Sequence, residues 1–243
     1  MRLAAASVNR LFRLASLALI LGSGLAGTYA AGQAPDGPYS KWTLAEAVAL
    51  LNNSPWARQE TFTRIIGGIG SGVSGEKEIY TTFFVRFLSA RPIREAYARA
   101  LQIRAGYDRL SEAQRSRVDA GLAGGLSLDV GRWIVVAVAF RSNDANLESQ
   151  LRRSLELESR DSMRPRAFLS TARHGQIPLE AYFPPADELV GAKFVFPRTL
   201  EDGPAVAEDD EEVTFELDLP TFEQDLRVHF AVAGMVSGGR LVL

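Results

Sequence analysis

The hydrophobic positions change rhythm along this chain, and each change predicts a different element. Leu14 to Ala26 is a nearly unbroken apolar stretch of about 13 residues, short of the roughly 20 a helical membrane span needs. The start before it carries Arg2, Arg10 and Arg13 and no acid, and small residues at Ala30 and Ala31 follow it. Further on, Leu44, Ala47, Val48 and Leu51 recur at helical spacing. Thr43 ahead of them and Glu46 three residues later form a capping-box signal, and Asn52-Asn53-Ser54-Pro55 is a stop. Residues 58–66 and 78–88 are rich in β-branched and aromatic side chains and predict two strands. The glycine-rich run from Gly67 to Gly75 would join them as a hairpin with a long loop.

Pro92 predicts the first turn of another helix, with Ile93, Tyr97, Ala100 and Leu101 as its apolar stripe and Gly106 weakening its end. Ser111 with Gln114 opens a further helix from Glu112 to about Gly121, ended by Gly124-Gly125. Residues 132–140 show no polar alternation, which predicts a strand at the centre of a sheet with both faces covered. Leu147, Leu151 and Leu155 mark a helix over 146–158. The remainder reads as strands at 166–172, 177–183, 193–197, 213–219, 226–232 and 240–243, separated by Pro and Gly. Helices early and strands late predict an α+β fold with a largely antiparallel sheet and about four helices in the first two-thirds. The expected organisation is a signal peptide at 1–30, a flexible lead-in at 31–41 and a single α+β domain over 42–243.

Composition narrows the chemistry. There is no cysteine, which excludes disulfides, thiolate metal centres and a cysteine nucleophile. Two histidines leave little room for imidazole catalysis or a His-based metal site. The 27 basic and 29 acidic residues become a net charge of −5 once Arg2, Arg10 and Arg13 leave with the leader. An acidic mature chain is not a general nucleic-acid binder. After the leader the next most apolar run is 133–140, too short to span a bilayer, so no stable transmembrane segment is expected in the mature chain. The expected location is outside the cytoplasm, periplasmic or secreted.

Few motifs survive inspection. Gly70 to Gly75 has the spacing of a phosphate loop, but Glu76 and Lys77 stand where Lys and Ser/Thr are required, and a strand follows instead of a helix. Ser74 lacks the second glycine of a nucleophile elbow. His174 sits in a predicted turn, and His229 falls on the face of its strand opposite Val228, Phe230 and Val232. Neither has an evident acid partner or metal-ligand spacing. No cofactor or metal is expected.

Charge is segregated. Thr199 to Leu226 holds eleven acids and no base, while Arg86 to Arg117 holds eight arginines and three acids. The stretch 201–218 is therefore a solvated acidic loop, a partner for the arginine-bearing helix or a calcium site, although it lacks the alternating order of a calcium loop. Trp42 and Trp56 flank the first helix and read as staples onto a sheet. Arg86, Arg91 and Arg94 cluster at a predicted strand-to-helix corner, where arginine can bind a carboxylate or phosphate. They are the candidate ligand-binding residues.

Four segments resemble an uncharacterised family of exported bacterial proteins. They are Trp42 with Leu50-Leu51-Asn52-Asn53-Ser54-Pro55-Trp56-Ala57, then Val85-Arg86-Phe87-Leu88-Ser89-Ala90-Arg91-Pro92-Ile93-Arg94-Glu95-Ala96, then Phe194-Val195-Phe196-Pro197-Arg198, and last Phe230 to Met235 with Leu241-Val242-Leu243. Phe87 stands where that family more often has Trp. The resemblance implies export and a shared fold, and carries no activity and no site residues. Together these readings predict a non-catalytic binding or structural component of the cell envelope, with an unknown protein or small-molecule partner. The alternative is a ligand-binding protein or hydrolase using carboxylates and arginine in a cleft near Arg86–Arg94.

Overall fold

A computed structural model describes residues 34–66, 77–186, 188–219, 222, 224–237 and 239–243. The leader at 1–30 and the glycine loop at 67–75 lie outside the described residues. Strand β1 (Ala57–Ile66) pairs antiparallel with β2 (Lys77–Phe87), as the hairpin reading predicts. β2 in turn pairs with β3 (Trp133–Ser142), β3 with β7 (Ala192–Pro197), and β7 with β6 (Ala181–Phe183), all antiparallel. The all-apolar β3 is thus the middle strand of five, with buried residues from Ile134 to Phe140.

A second sheet of four strands runs β11 (Leu226–Ala231), β10 (Glu212–Leu217), β4 (Ala167–Thr171) and β5 (Ile177–Pro178). Its inner face packs onto one face of the first sheet. Phe87 meets Phe230 at 4.8 Å between ring centres, and Phe194 and Phe196 meet Phe215 at 5.4 and 6.3 Å. Period-two alternation sends Val228 and Phe230 inward and leaves Arg227 and His229 outside. Two short ribbons complete the strands, β8 (Thr199–Leu200) with β9 (Gly203–Pro204) and β12 (Val236–Ser237) with β13 (Arg240–Leu241).

Helix α1 (Leu44–Asn52) begins at the predicted capping box, Thr43 and Glu46 each bonding the other's backbone. It buries Ala47, Leu50 and Leu51, while Leu44 stays 41% exposed. Helix α2 (Arg91–Arg104) starts with Pro92 in its first turn and packs along α1. α3 (Glu112–Leu126) lies on α2, where Asp119 accepts hydrogen bonds from Gln102 at 3.0 Å and Tyr107 at 2.5 Å. α4 (Ala145–Leu157), capped by Asp144, inserts Leu151 and Leu155 into the core. A single turn, α5 (Arg160–Met163), follows. The fold is α+β with antiparallel sheets, and its four longer helices all precede residue 158. Among the described residues no helix is long and apolar enough to cross a membrane.

Two expectations need correction. Gly124-Gly125 do not end α3, which continues to Leu126. Glycine costs a helix about 1 kcal/mol per residue and does not forbid it, and the stop comes at Ser127, whose hydroxyl returns to the Ala123 carbonyl. The predicted strand 177–183 is two strands in different sheets: Pro178 ends β5, and the chain crosses at Leu179-Glu180 to join β7 as β6. Near the start of the described residues, Ala34 and Tyr39 pack against the core and Tyr39 stacks edgewise on Trp42.

Both tryptophans are buried where a staple reading puts them. The Trp56 indole donates to the Val242 carbonyl at 2.6 Å, tying the first strand to the C-terminal segment. The Trp42 carbonyl accepts from Arg99 on α2 at 2.6 Å.

One glycine sets a close approach. Gly191 has φ +76°, and a Cβ there would stand 2.0 Å from the Val138 carbonyl oxygen of β3. Replacing it by alanine adds both left-handed strain and a backbone collision. Gly191→Ala is expected to cost about 2–5 kcal/mol, read as a lowered midpoint in chemical denaturation; an unchanged midpoint would mean that this turn is not pressed onto β3.

Candidate functional site

The corner between β2 and α2 was the predicted location of ligand-binding arginines. Ser89 holds it tight: its N–H donates to the Val135 carbonyl at 3.3 Å and its hydroxyl accepts from the Val135 N–H at 3.1 Å. Small side chains at Ser89 and Ala90 permit this approach to β3, and Pro92 suits the helix start that follows.

The three arginines occupy three different environments. Arg86 is 2% exposed, on the sheet face that the helices cover. Its Nε donates to the Leu51 carbonyl at 2.6 Å. One terminal nitrogen donates to the Tyr97 hydroxyl at 2.8 Å and the Leu189 carbonyl at 3.1 Å, and the other to Asn52 Oδ1 at 3.1 Å. The guanidinium also lies 5.0 Å from the Phe84 ring centre and 5.5 Å from that of Tyr97. Oxygen lone pairs and ring faces surround the cation, and a C-terminal carbonyl of α1 finds its partner there.

Arg94 turns back to the corner and donates to the carbonyls of Leu88 and Ser89. Burial lowers its pKa, and the nearby charges of Arg91 and Arg198 push the same way. Arg91 points out and pairs with Glu95 one turn along at 2.7 Å. Arg86 and Arg94 share no partner, so the corner does not focus its arginines on one point.

Lys193 was not a candidate from the sequence, yet the register sets it level with Arg86 across Ala137. It is 1% exposed and its Nζ reaches the Gly191 carbonyl at 3.4 Å. The same turn supplies the Leu189 carbonyl to both Arg86 and Tyr97. Two buried cations therefore flank Ala137, one of the two alanines of the central strand. Nothing in Lys193-Phe-Val-Phe-Pro197 signals this, because the pairing depends on strand order.

Both histidines have acid partners, contrary to expectation. His229 Nδ1 lies 2.7 Å from Glu212 Oε1 and 3.1 Å from Thr214 Oγ1, on the open face of the four-stranded sheet. His174 is buried; its Nε2 lies 3.1 Å from the Pro204 carbonyl and its Nδ1 3.5 Å from Asp202. Glu212 takes the same His229 nitrogen that faces Thr214, so the cluster lacks the separate base and orienting contacts of a nucleophilic triad.

The acidic stretch also finds partners other than the helix considered above. Among the described residues its ion pairs run to Arg173 from Asp209 (2.7 Å) and Asp210 (3.4 Å), and to Arg227 from Glu216 (2.5 Å). Glu208 accepts from the Leu241 N–H, and the buried Asp210 accepts from the Ala207 N–H. None goes to an arginine between Arg86 and Arg117. No group of three or more His, Asp or Glu fit to hold a metal occurs among the described residues.

A ring of two carboxylates and two guanidinium groups lies elsewhere. Arg141 binds Glu148 at 2.9 Å and Glu188 at 2.8 Å, and Arg152 stands 3.8 and 3.6 Å from the same two acids. The hydrogen bond from Arg141 holds the Glu188 carboxyl below its ordinary value of 4.5, against a smaller opposing effect of burial. A catalytic acid needs the reverse shift. This ring acts as a clamp between β3, α4 and the 188–191 segment.

Searches against protein-family models, curated proteins and solved structures gave no match.

Two measurements test these assignments. Arg86→Met leaves four oxygen acceptors without their cation and is expected to cost about 3–5 kcal/mol, whereas Arg91→Ala should change stability by no more than about 0.5 kcal/mol. A fully stable Arg86→Met protein would mean that the guanidinium is not part of the framework. For pH, a carboxyl with a lowered folded pKa contributes stability above its unfolded value, lost as pH falls through the folded one. Glu188→Gln should therefore melt lower than wild type at neutral pH, with the difference shrinking as pH falls below 4.5 and lost as pH passes through the lowered folded value. A difference independent of pH would remove Glu188 from the acid limb.

Proposed function

We propose that the chain is an exported protein, periplasmic or secreted, that serves the cell envelope as a non-catalytic binding or structural component. The observation that carries this reading is the commitment of Arg86: the side chain best suited to grip an anionic ligand is sealed in and spent on Leu51, Asn52, Tyr97 and Leu189. Three further features support it. The ring of Arg141, Glu148, Arg152 and Glu188 is arranged for ion pairing and not for proton transfer. The basic, briefly apolar start followed by small residues has the parts of a secretory leader. The segments Ser54-Pro55-Trp56-Ala57 and Ser89-Ala90-Arg91-Pro92-Ile93-Arg94, which carry the family resemblance, serve packing and corner geometry in this chain.

Fractionation tests the proposal. Expressed with its leader in a Gram-negative host, the chain is expected in the periplasm or medium, with an N-terminus near Ala31 or Pro35. Cross-linking in intact cells should then join it to other envelope components. A product confined to the cytosol and still beginning at Met1 would overturn the reading.

A further inference from the structure

The outer edge of β1 carries an unused interaction surface. β1 is the first strand of the five-stranded sheet and, among the described residues, pairs only with β2. The Phe87 N–H donates to the Trp56 carbonyl at 2.9 Å, so these two residues form a hydrogen-bonded pair. Alternation along the ladder then turns the amides of Arg58, Glu60, Phe62 and Arg64 toward β2, and those of Gln59, Thr61, Thr63 and Ile65 outward. Ala57, next in the outward set, is already closed off by Ser54, with bonds of 3.0 and 3.1 Å. The four outward amides beyond it have no backbone partner among the described residues.

Sheet edges in soluble proteins are normally blunted by lysine, proline, bulges or short length. β1 has ten residues, none of them Lys or Pro, and its register with β2 is unbroken. From Gln59 to Ile66 every residue except Phe62 is exposed. Ile65 is 57% exposed and Ile66 45%.

The side chains say what fits. An antiparallel copy of β1 related by a two-fold axis through Phe62 sets Thr61 opposite Thr63, Gln59 opposite Ile65 and Glu60 opposite Arg64, each twice. The outward amides then form the hydrogen-bonded pairs. Phe62–Phe62 and the two Glu60–Arg64 pairs fall at non-hydrogen-bonded positions, where side chains come closest. Neighbouring registers fail on charge. A centre at Thr61 opposes Arg58 to Arg64, one at Glu60 or Arg64 opposes that residue to itself, and one at Thr63 leaves Glu60 against Ile66.

We infer that β1 is a homodimerisation edge, and that two copies join their five-stranded sheets into one ten-stranded sheet through a two-fold axis at Phe62. The inference rests on edge geometry alone, not on export, so either can fail without the other.

Sedimentation velocity on the purified chain over about 1–200 µM should show a monomer–dimer equilibrium. Glu60→Arg and Arg64→Glu should each weaken the dimer by about tenfold or more, and the double exchange Glu60→Arg/Arg64→Glu should restore it to within about threefold. The chain has no cysteine, so one introduced thiol reports contact unambiguously. Phe62→Cys meets its own copy at about 4.5 Å between Cα atoms and should oxidise to a covalent dimer. Gln59→Cys, held about 20 Å from its copy by this register, should not. Phe62 also packs on Phe83 and Phe222 at 5.8 and 5.1 Å, so its variant loses some stability; the exposed Glu60→Arg variant does not share that weakness. A chain monomeric throughout that range, a dimer indifferent to both charge reversals, or cross-linking at Gln59→Cys in preference to Phe62→Cys would each overturn the inference.

Discussion

The Arg86 guanidinium sets the spacing between the sheet and its helical layer. A buried cation is costly unless lone pairs surround it, and here they come from three separate parts of the chain: the Leu51 carbonyl and Asn52 side chain at the end of α1, Tyr97 on α2, and the Leu189 carbonyl above β3. Moving any one of them strands both the charge and the acceptor. The contacts therefore fix where α1 ends, how α2 lies and how closely the 189–191 turn approaches the sheet. That turn can come so close only because Gly191 has no Cβ to strike Val138.

The same economy runs through the other polar side chains. Arg94 closes the corner that starts α2, and Arg198 donates to the carbonyls of Val130, Trp133 and Leu243. The Tyr182 hydroxyl donates to the Leu155 carbonyl at 2.6 Å, and burial raises its pKa. Arginine suits this work because it stays charged when desolvated and offers five donors in a rigid fork. The arginine-rich composition thus reflects framework hydrogen bonding at several positions that looked available for ligands.

The two sheets differ in how they meet solvent. The four-stranded sheet covers its outer face with short-range pairs, Glu216 with Arg227 and Glu212 with His229. The five-stranded sheet is covered along its middle, but the β1–β2 hairpin runs past that cover. Its far end shows exposed Ile65 and a Tyr80 that is 41% exposed, steadied by Asn143, whose side chain accepts from the Tyr80 N–H at 2.8 Å. A long, regular edge strand in such a position, with charges of both signs at Glu60 and Arg64 and neither Lys nor Pro, suits a complementary partner strand.

Periodicity and capping chemistry are local, and they were legible in the residues themselves. The all-apolar run at 133–140 foretold a central strand, Thr43 with Glu46 and Ser111 with Gln114 marked two helix starts, and alternation placed His229 outside. The α+β class followed from element order. Partner identity is a different kind of property, because it depends on register, strand order and the path of connecting turns. Lys193 sits level with Arg86 only because β7 lies beside β3, Glu188 meets Arg141 across 47 residues, and the acids after Thr199 face Arg173 and Arg227 instead of α2. Tertiary structure alone decided which cations were buried and which acids they met, since burial of a charge is set by what folds over it and not by its neighbours in the chain.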